Sequence, residues 1–197
     1  LGDVYKRQVK AVTHRVNPIM QTCIGPSEEH VSMAGIPTEA SILDMVERAM
    51  PGRVQNVYAH SSGGGKFIAV IQFKKTVPSD EGRQRQAALL AFSAFPELKQ
   101  VILVDEDVDI FDTNDVLWAM TTRMQADVDI VTIPGVRCHP LDPSNDPACS
   151  WSIRDHGIAC KTIYDATVPF NQKARFQRAK FMEVDVKKFL PDFTVQD

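Results

Sequence analysis

Short apolar runs alternate with amphipathic stretches along the chain, and this alternation predicts strands interleaved with helices. The run at residues 101–104 has four hydrophobic side chains in succession, which is typical of a strand buried on both faces of a sheet. After an acidic loop, Asp112 or Thr113 is placed to cap a helix. The apolar positions of that helix, which recur at helical spacing, are Val116, Leu117, Met120 and Met124. We expect this helix to pack on the sheet.

The same patterns assign the remaining elements. A helix start capped by Ser27 precedes a separate helix that opens at Thr38 and ends at Pro51. A further amphipathic helix is predicted over residues 83–95. The Ser-Ser-Gly-Gly-Gly stretch lacks the residues of a P-loop, so we expect it to connect two strands as a flexible hairpin. The other predicted strands are residues 11–16, 54–59, 66–75, 129–133 and 158–164.

Together, these elements predict an α/β fold with a mixed, mostly parallel sheet and packed helices. Residues 1–8 continue no pattern, and we expect them to be a non-native or artefactual leader. Residues 9–169 would form one α/β domain, and residues 170–197 a C-terminal extension. Within this extension, aromatic and basic side chains alternate over residues 170–181, which favours a helix that docks on a second subunit.

Composition narrows the functional classes. The chain has 197 residues, 44% of them hydrophobic, and a formal net charge of −3, which gives no reason to expect a nucleic-acid partner. No apolar run approaches the ~18 residues that a membrane span needs. Cys23, Cys138, Cys149 and Cys160 are scattered in a chain long enough to fold without disulfides. We therefore expect a cytoplasmic protein without a membrane span.

The acidic loop after residues 101–104 is the most conspicuous candidate for chemistry. It holds five carboxylates within eight positions, namely Asp105, Glu106, Asp107, Asp109 and Asp112. An EF-hand is excluded because Ile110 stands where its turn requires glycine. The Asp-x-Asp pair of Asp105 and Asp107 also matches the metal site of some glycosyltransferases. A solvated acidic turn is the simpler alternative.

Four separate segments resemble the UbiD family, in that family's order. They are THRVNPIMQ at residues 13–21, GIPTEASI at residues 35–42, VDEDVDIFDTNDVLWAMTTRM at residues 104–124, and Lys161 with Asp165, Ala166 and Thr167. They resemble the C-terminal domain of these decarboxylases and carboxylases of aromatic and α,β-unsaturated acids, and the resemblance covers roughly residues 12–179. The resemblance implies an enzyme that uses prenylated flavin mononucleotide (FMN) and Mn²⁺, admits K⁺ as a further ion, and assembles as a homo-oligomer.

The same resemblance implies that the reaction centre lies elsewhere. In the family, the catalytic arginine and two glutamates and the manganese ligands precede the region matched here, and no counterpart is found in this chain. We therefore expect an upstream flavin-binding domain as a partner, no catalytic or metal-binding residues in this chain, and no activity from the isolated chain. The residues that would bind the cofactor are unknown.

The region's implied contribution is one wall of the substrate pocket. The sequence VRCHPLDP would place His139 and Leu141 against the substrate ring, with Arg137 beside them. A histidine can hydrogen-bond a phenolic hydroxyl, which favours a hydroxybenzoate-type substrate. His30, Met33 and Ala34 approach a second pocket-lining segment, although their spacing equally suits core residues of a helix. Two alternatives remain open: His139 is merely a polar loop residue, and the whole region is only a structural oligomerisation module.

Overall fold

The structure is a computed structural model. It describes residues 8–25, 27–137, 139, 142–145, 158–179, 182 and 184–189. The helices are α1 (Glu28–Ala49), α2 (Arg83–Ala94), α3 (Thr113–Arg123), α4 (Ala126–Asp129) and α5 (Val186–Phe189). The strands are β1 (Val54–Ala59), β2 (Ile68–Phe73), β3 (Gln100–Val104), β4 (Ile130–Arg137) and β5 (Ile158–Ala166). Short 3-10 segments lie at Ser61–Gly63, Pro78–Asp80, Pro143–Asn145 and Phe170–Arg175.

The strands form one five-stranded mixed sheet in the order β1-β2-β3-β5-β4. The three central strands run parallel, and an antiparallel strand closes each edge. Central strand β3 is the predicted apolar run, and its Val101, Leu103 and Val104 are completely buried. The predicted α/β class with a mixed sheet and packed helices is confirmed.

Each face of the sheet has its own core. Because side chains alternate between faces along a strand, neighbouring residues of β3 serve different cores. Leu103 packs with Ile42 of α1 and Ala91 of α2. Val104 packs on the other side with Val116 of α3. The acidic loop after β3 is therefore bordered by a helix that is firmly attached to the sheet.

Two predictions about α1 have different outcomes. Ser27 does cap the helix, because its hydroxyl accepts a hydrogen bond from the N–H of His30. The separate helix start at Thr38 is wrong: α1 is one helix of 22 residues that continues through Pro37. Val31 is buried before the proline, and Ile42 and Val46 are buried after it. This burial supports the helix on both sides of Pro37 and outweighs the single backbone donor that proline lacks.

Three other expectations need correction. Residues 11–16 form no strand; they are irregular and exposed. Leu117 was expected on the buried face of α3 but is 51% exposed. The helix predicted over residues 170–181 is instead the 3-10 segment Phe170–Arg175, followed by irregular chain through residue 179. The physical reason is that Lys173 and Arg178 of this stretch bind acids of the same chain.

Among the described helices, none is long and apolar enough to cross a membrane.

Candidate functional site

The acidic loop leaves the carboxyl end of β3 and folds around Arg123, at the last turn of α3. Arg123 holds Asp107 through two parallel hydrogen bonds, Nη1 to Oδ1 at 2.8 Å and Nη2 to Oδ2 at 2.6 Å. Its Nη1 also donates to Asp105 Oδ2 at 3.0 Å. The same oxygen accepts the N–H of Val168, just beyond β5, at 2.8 Å. One guanidinium therefore binds both carboxylates, and Asp105 connects the ends of the neighbouring strands β3 and β5.

A second layer of cations comes from the chain after β5. Lys173 Nζ lies 3.0 Å from the Glu106 carboxylate. Arg178 pairs with Asp107 at 3.3 Å and with Asp115 of α3 at 2.8 Å. The guanidinium carbon of Arg178 also lies 4.2 Å from the centre of the Trp118 ring, a cation–π contact. This C-terminal segment, residues 168–178, thereby covers the acidic loop.

Electrostatics differ between the two central acids. Hydrogen bonding to Arg123 lowers the pKa of Asp107 below its ordinary value, and the charge of Arg178 adds to the effect. Burial raises the pKa of Asp105, although the N–H of Val168 and the charge of Arg123 oppose it. The ionised form of Asp107 is therefore stabilised. For Asp105, the desolvation of the charged form outweighs the favourable contacts with Val168 and Arg123.

This geometry tests both interpretations of the acidic loop. The solvated-turn interpretation fails for Asp105, which is only 4% exposed. The other four acids are exposed, although cations also bind Glu106 and Asp107. The loop also does not present the Asp-x-Asp pair to a metal, since a guanidinium occupies both carboxylates. Within the described residues, no group of three or more His, Cys, Asp or Glu side chains is suited to a metal ion.

Sequence reasoning missed the three cations. Arg123 sits seven residues after Val116, on the stripe of α3 that faces the sheet, and a charged residue in such a stripe signals a buried partner. No comparable signal marked Lys173 or Arg178, because their partners lie more than sixty positions away.

Two of the predicted substrate residues, Arg137 and His139, lie at the end of the sheet opposite to the acidic loop. His139 is buried, with Nε2 3.3 Å from the Glu97 carboxylate and its ring edge-on to Phe67 at 5.5 Å. Arg137 ends β4 and lines a cavity of about 350 Å³ with Phe92 and Lys161. His139 is not among the residues lining that cavity. Leu141 lies outside the described residues, and of the other two predicted residues only Arg137 lines the cavity.

The second pocket-lining segment falls on the first turns of α1. His30 and Met33 are exposed, and Ala34 is half-buried. A role as helical core residues, which the spacing equally suggested, is therefore wrong for His30 and Met33. Their exposure on α1 leaves them accessible to another part of a larger molecule.

Comparison with known proteins identifies the family. A family model described as the 3-octaprenyl-4-hydroxybenzoate carboxy-lyase C-terminal domain matches residues 31–166. The chain belongs to the UbiD family. This family member is 62% identical over 185 residues to the gallate decarboxylase of Lactiplantibacillus plantarum, an overlap that covers 93% of the chain and 38% of that protein. The resemblance seen in the sequence is confirmed.

Solved structures agree with this assignment. The UbiD chain matches apo 3,4-dihydroxybenzoic acid decarboxylase from Klebsiella pneumoniae with a TM-score of 0.84 and 61% identity, covering 92% of the chain and 37% of that structure. It matches the UbiD-class enzyme HmfF from Pelotomaculum thermopropionicum, in complex with FMN, with a TM-score of 0.78 and 34% identity, covering 91% and 38%. The chain therefore spans less than two fifths of these relatives.

Proposed function

We propose that this chain is the C-terminal part of a UbiD-like non-oxidative decarboxylase, a carboxy-lyase that acts on a hydroxylated aromatic acid. The observation that carries the proposal is the 62% and 61% identity with proteins named for gallate and for 3,4-dihydroxybenzoic acid. In the proposed reaction the bond from ring to carboxylate breaks, CO₂ leaves, and a proton takes its place on the ring. The product is a phenol.

The cofactors of this reaction are proposed to lie on the upstream flavin-binding domain. Support comes from HmfF, whose structure contains FMN. Prenylated FMN, when bound, supplies an electron sink for the departing carboxylate's electron pair. The acid cluster of this chain does not fit Mn²⁺ or K⁺, because arginines occupy its carboxylates. The chain's own proposed task is to bind and orient the aromatic ring.

Within that task, His139 is proposed to hydrogen-bond a ring hydroxyl. Its burial and its contacts with Glu97 and Phe67 support this role, because a carboxylate partner and a packed ring fix the orientation of an imidazole. Leu141 would provide an apolar contact to the ring, and Arg137 would flank it. The proposal includes residues 9–169 as the α/β domain and residues 170–197 as its extension.

The complete protein is proposed to be a cytoplasmic homo-oligomer. An evolved dimeric form of HmfF with prenylated FMN matches the chain with a TM-score of 0.66 and 28% identity, covering 92% of it and 34% of that structure. Exposed apolar side chains of α1, Met33 at 61% and Ile36 at 65%, support contact with a further domain or subunit.

Steady-state kinetics of the complete enzyme test the proposal. His139→Leu is expected to lower kcat/KM for 3,4-dihydroxybenzoate by about 10-fold or more, because a ring hydroxyl loses its partner. The exposed pair variant Arg48→Gln in α1 serves as the matched control and should leave kcat/KM unchanged. Absence of decarboxylation by the complete protein would overturn the proposal. Altered assembly with unchanged kinetics for His139→Leu would instead support a purely structural oligomerisation module.

A further inference from the structure

The chain that precedes α1 carries many apolar side chains that the α/β domain leaves uncovered. Residues 8–25, which we call the N-terminal arm, are irregular and exposed at every position. Among the described residues, no backbone hydrogen bond joins the arm to the rest of the chain. Its large apolar side chains are 74–94% exposed, namely Val9, Val12, Val16, Ile19, Met20 and Ile24. A contiguous apolar surface of this kind indicates a contact with another body.

The composition of the arm is typical of a strand. Between residues 9 and 16 it has four β-branched side chains, a type that favours strands: Val9, Val12, Thr13 and Val16. Pro18, which has no N–H, would end such a strand. The backbone N–H and C=O groups of a lone extended segment bind only water, and they pair with protein when the segment joins the edge of a sheet.

Edge strand β1 of this domain does not offer such an edge. The N–H of His60, just after β1, donates to Ile68 of β2, so the N–H groups of Val57 and Ala59 point away from β2. Both are already bonded to side chains. The N–H of Val57 donates to Asn56 Oδ1 and that of Ala59 to Glu39 Oε1 of α1, each at 2.9 Å. A further strand would have to displace these side chains.

The opposite edge strand, β4, is blocked in a different way. Pro134 supplies no N–H, and the pairing register of β4 shifts between Ile133 and Val136, where Gly135 has a φ of +72°. Prolines and bulges in edge strands prevent the addition of another strand. The arm of a second copy therefore finds no strand partner on this sheet, and the receiving edge belongs to a different domain.

The proposed upstream flavin-binding domain is the body next to the arm along the polypeptide. The matched C-terminal domain begins only at residue 31, so the arm lies between the two domains. We propose that residues 9–16 pair as a β-strand with an open sheet edge of the upstream domain. Val12 and Val16, four residues apart and thus on the same face of a strand, would pack against that domain. This inference rests on the proposed function, which supplies the upstream domain.

The arm continues into a second exposed apolar surface. Helix α1 begins at Glu28, and Met33 and Ile36 on its first turns are exposed. A domain that holds residues 9–16 is adjacent to these turns. The arm and the start of α1 would then form one contact surface, through which the upstream domain is positioned relative to the proposed substrate residues.

Amide hydrogen exchange, measured by mass spectrometry on the complete protein and on the 197-residue chain, tests the inference. We expect residues 10–16 to exchange at least about 100-fold more slowly in the complete protein, because amides paired in a sheet open rarely. The amides of central strand β2 are the internal reference and should exchange equally in both.

A pair of substitutions tests the proposed packing of Val12. Val12→Asp in the complete protein should reduce the protection of residues 10–16 by about 10-fold or more, since a carboxylate would enter an apolar contact. Thr22→Asp, at an exposed position of the arm beyond Pro18, is the matched control and should leave the protection unchanged. In the 197-residue chain, neither substitution should alter the unfolding temperature, because the arm is exposed there.

The exchange rates also separate this inference from its alternatives. Rapid exchange of residues 10–16 in both proteins would refute the pairing. Slow exchange already in the 197-residue chain would place the arm on its own domain or, if the protection grows with concentration, on a second copy, and either result overturns the inference. A protected arm in a complete protein that decarboxylates no hydroxybenzoate would refute the proposed function alone. An active protein with a rapidly exchanging arm would refute the inference alone.

Discussion

Arg123 shows how one side chain can reverse the interpretation of a sequence motif. The Asp-x-Asp pair has the composition of a metal site, yet a single guanidinium donates hydrogen bonds to both carboxylates. The planar guanidinium of arginine donates two parallel hydrogen bonds to one carboxylate, which the ammonium group of lysine cannot do. Arginine therefore suits this position better than lysine. The motif could be located from the sequence, but its partner could not.

Replacing Arg123 should therefore be costly. Arg123→Gln would leave Asp105 buried with an uncompensated charge, and we expect a loss of about 3–5 kcal/mol in the free energy of unfolding. Urea denaturation followed by circular dichroism would measure it. The matched variant Arg48→Gln breaks an exposed pair of α1, 77% exposed at the arginine, and should cost less than about 0.5 kcal/mol. Equal losses in the two variants would contradict the structural account of Arg123.

Asp80 makes stability depend on pH. Burial alone would raise its pKa, but the N–H groups of Thr76 and Val77 and the charge of Arg53 lower it below the ordinary value of 3.8. A lowered pKa in the folded state means that this carboxylate stabilises the fold above its unfolded pKa. That contribution is lost as the pH falls through the folded pKa.

We expect the unfolding free energy of the parent chain to drop more steeply than that of Asp80→Asn between about pH 5 and pH 2. Chemical denaturation at several pH values would measure both slopes. Asp44→Asn, at an exposed position of α1, is the control and should keep the parent slope. Parallel curves for the parent and Asp80→Asn would refute this role of Asp80.

At the scale of elements, regular apolar spacing predicted some boundaries correctly, whereas tertiary packing altered the structure expected for other segments. The strand at residues 54–59 and the helix over residues 83–95 were predicted almost to the residue, because their apolar spacing is regular. The loop between β1 and β2 was expected to be flexible. It instead contains the 3-10 turn Ser61–Gly63 and packs on α1 through Gly65.

Gly65 and Gly52 provide a matched test of that contact. Both have a positive φ, +67° and +72°, so alanine at either costs about 1–2 kcal/mol of backbone strain. A Cβ at Gly65 would also lie 2.7 Å from the carbonyl oxygen of Val31, whereas nothing lies within 4 Å of one at Gly52. Gly65→Ala should therefore destabilise by about 3 kcal/mol or more. Thermal and urea unfolding would compare the stabilities of Gly65→Ala and Gly52→Ala. Equal destabilisation would show that Gly65 makes no close contact with α1.

At the scale of the whole molecule, residues far apart in the chain meet beyond the carboxyl ends of the parallel strands. Lys75, which follows β2, is buried and donates to Glu81 and to the carbonyl of Val168 after β5. Glu81 in turn accepts the N–H of Phe170. These contacts fasten the start of the C-terminal segment, and Lys173 and Arg178 fasten its end.

The local stability at the end of this segment should depend on the charge of Arg178. Arg178 is 37% exposed on its side chain, so its pairs are partly screened, and Arg178→Gln should cost about 1 kcal/mol locally. We expect amide hydrogen exchange in residues 173–178 to become about 5-fold faster. Arg175→Gln, a neighbouring exposed position, should leave exchange unchanged. Equal exchange in both variants would show that the ion pairs of Arg178 do not hold the segment.

The sequence alone determined the five strands of the sheet with helices α2 and α3 between them, the buried central strand, the cap at Ser27, a cap of α3 at Asp112 or Thr113, and the membership of the UbiD family. Those features depend on spacing and on residue type within a few positions, which a sequence displays directly. Only the tertiary structure decided that α1 runs through Pro37, that the acids at residues 105–107 bind arginine and lysine, and that the segment after β5 covers them. These outcomes depend on which distant side chains become neighbours when buried charges must be paired, and local spacing does not carry that information.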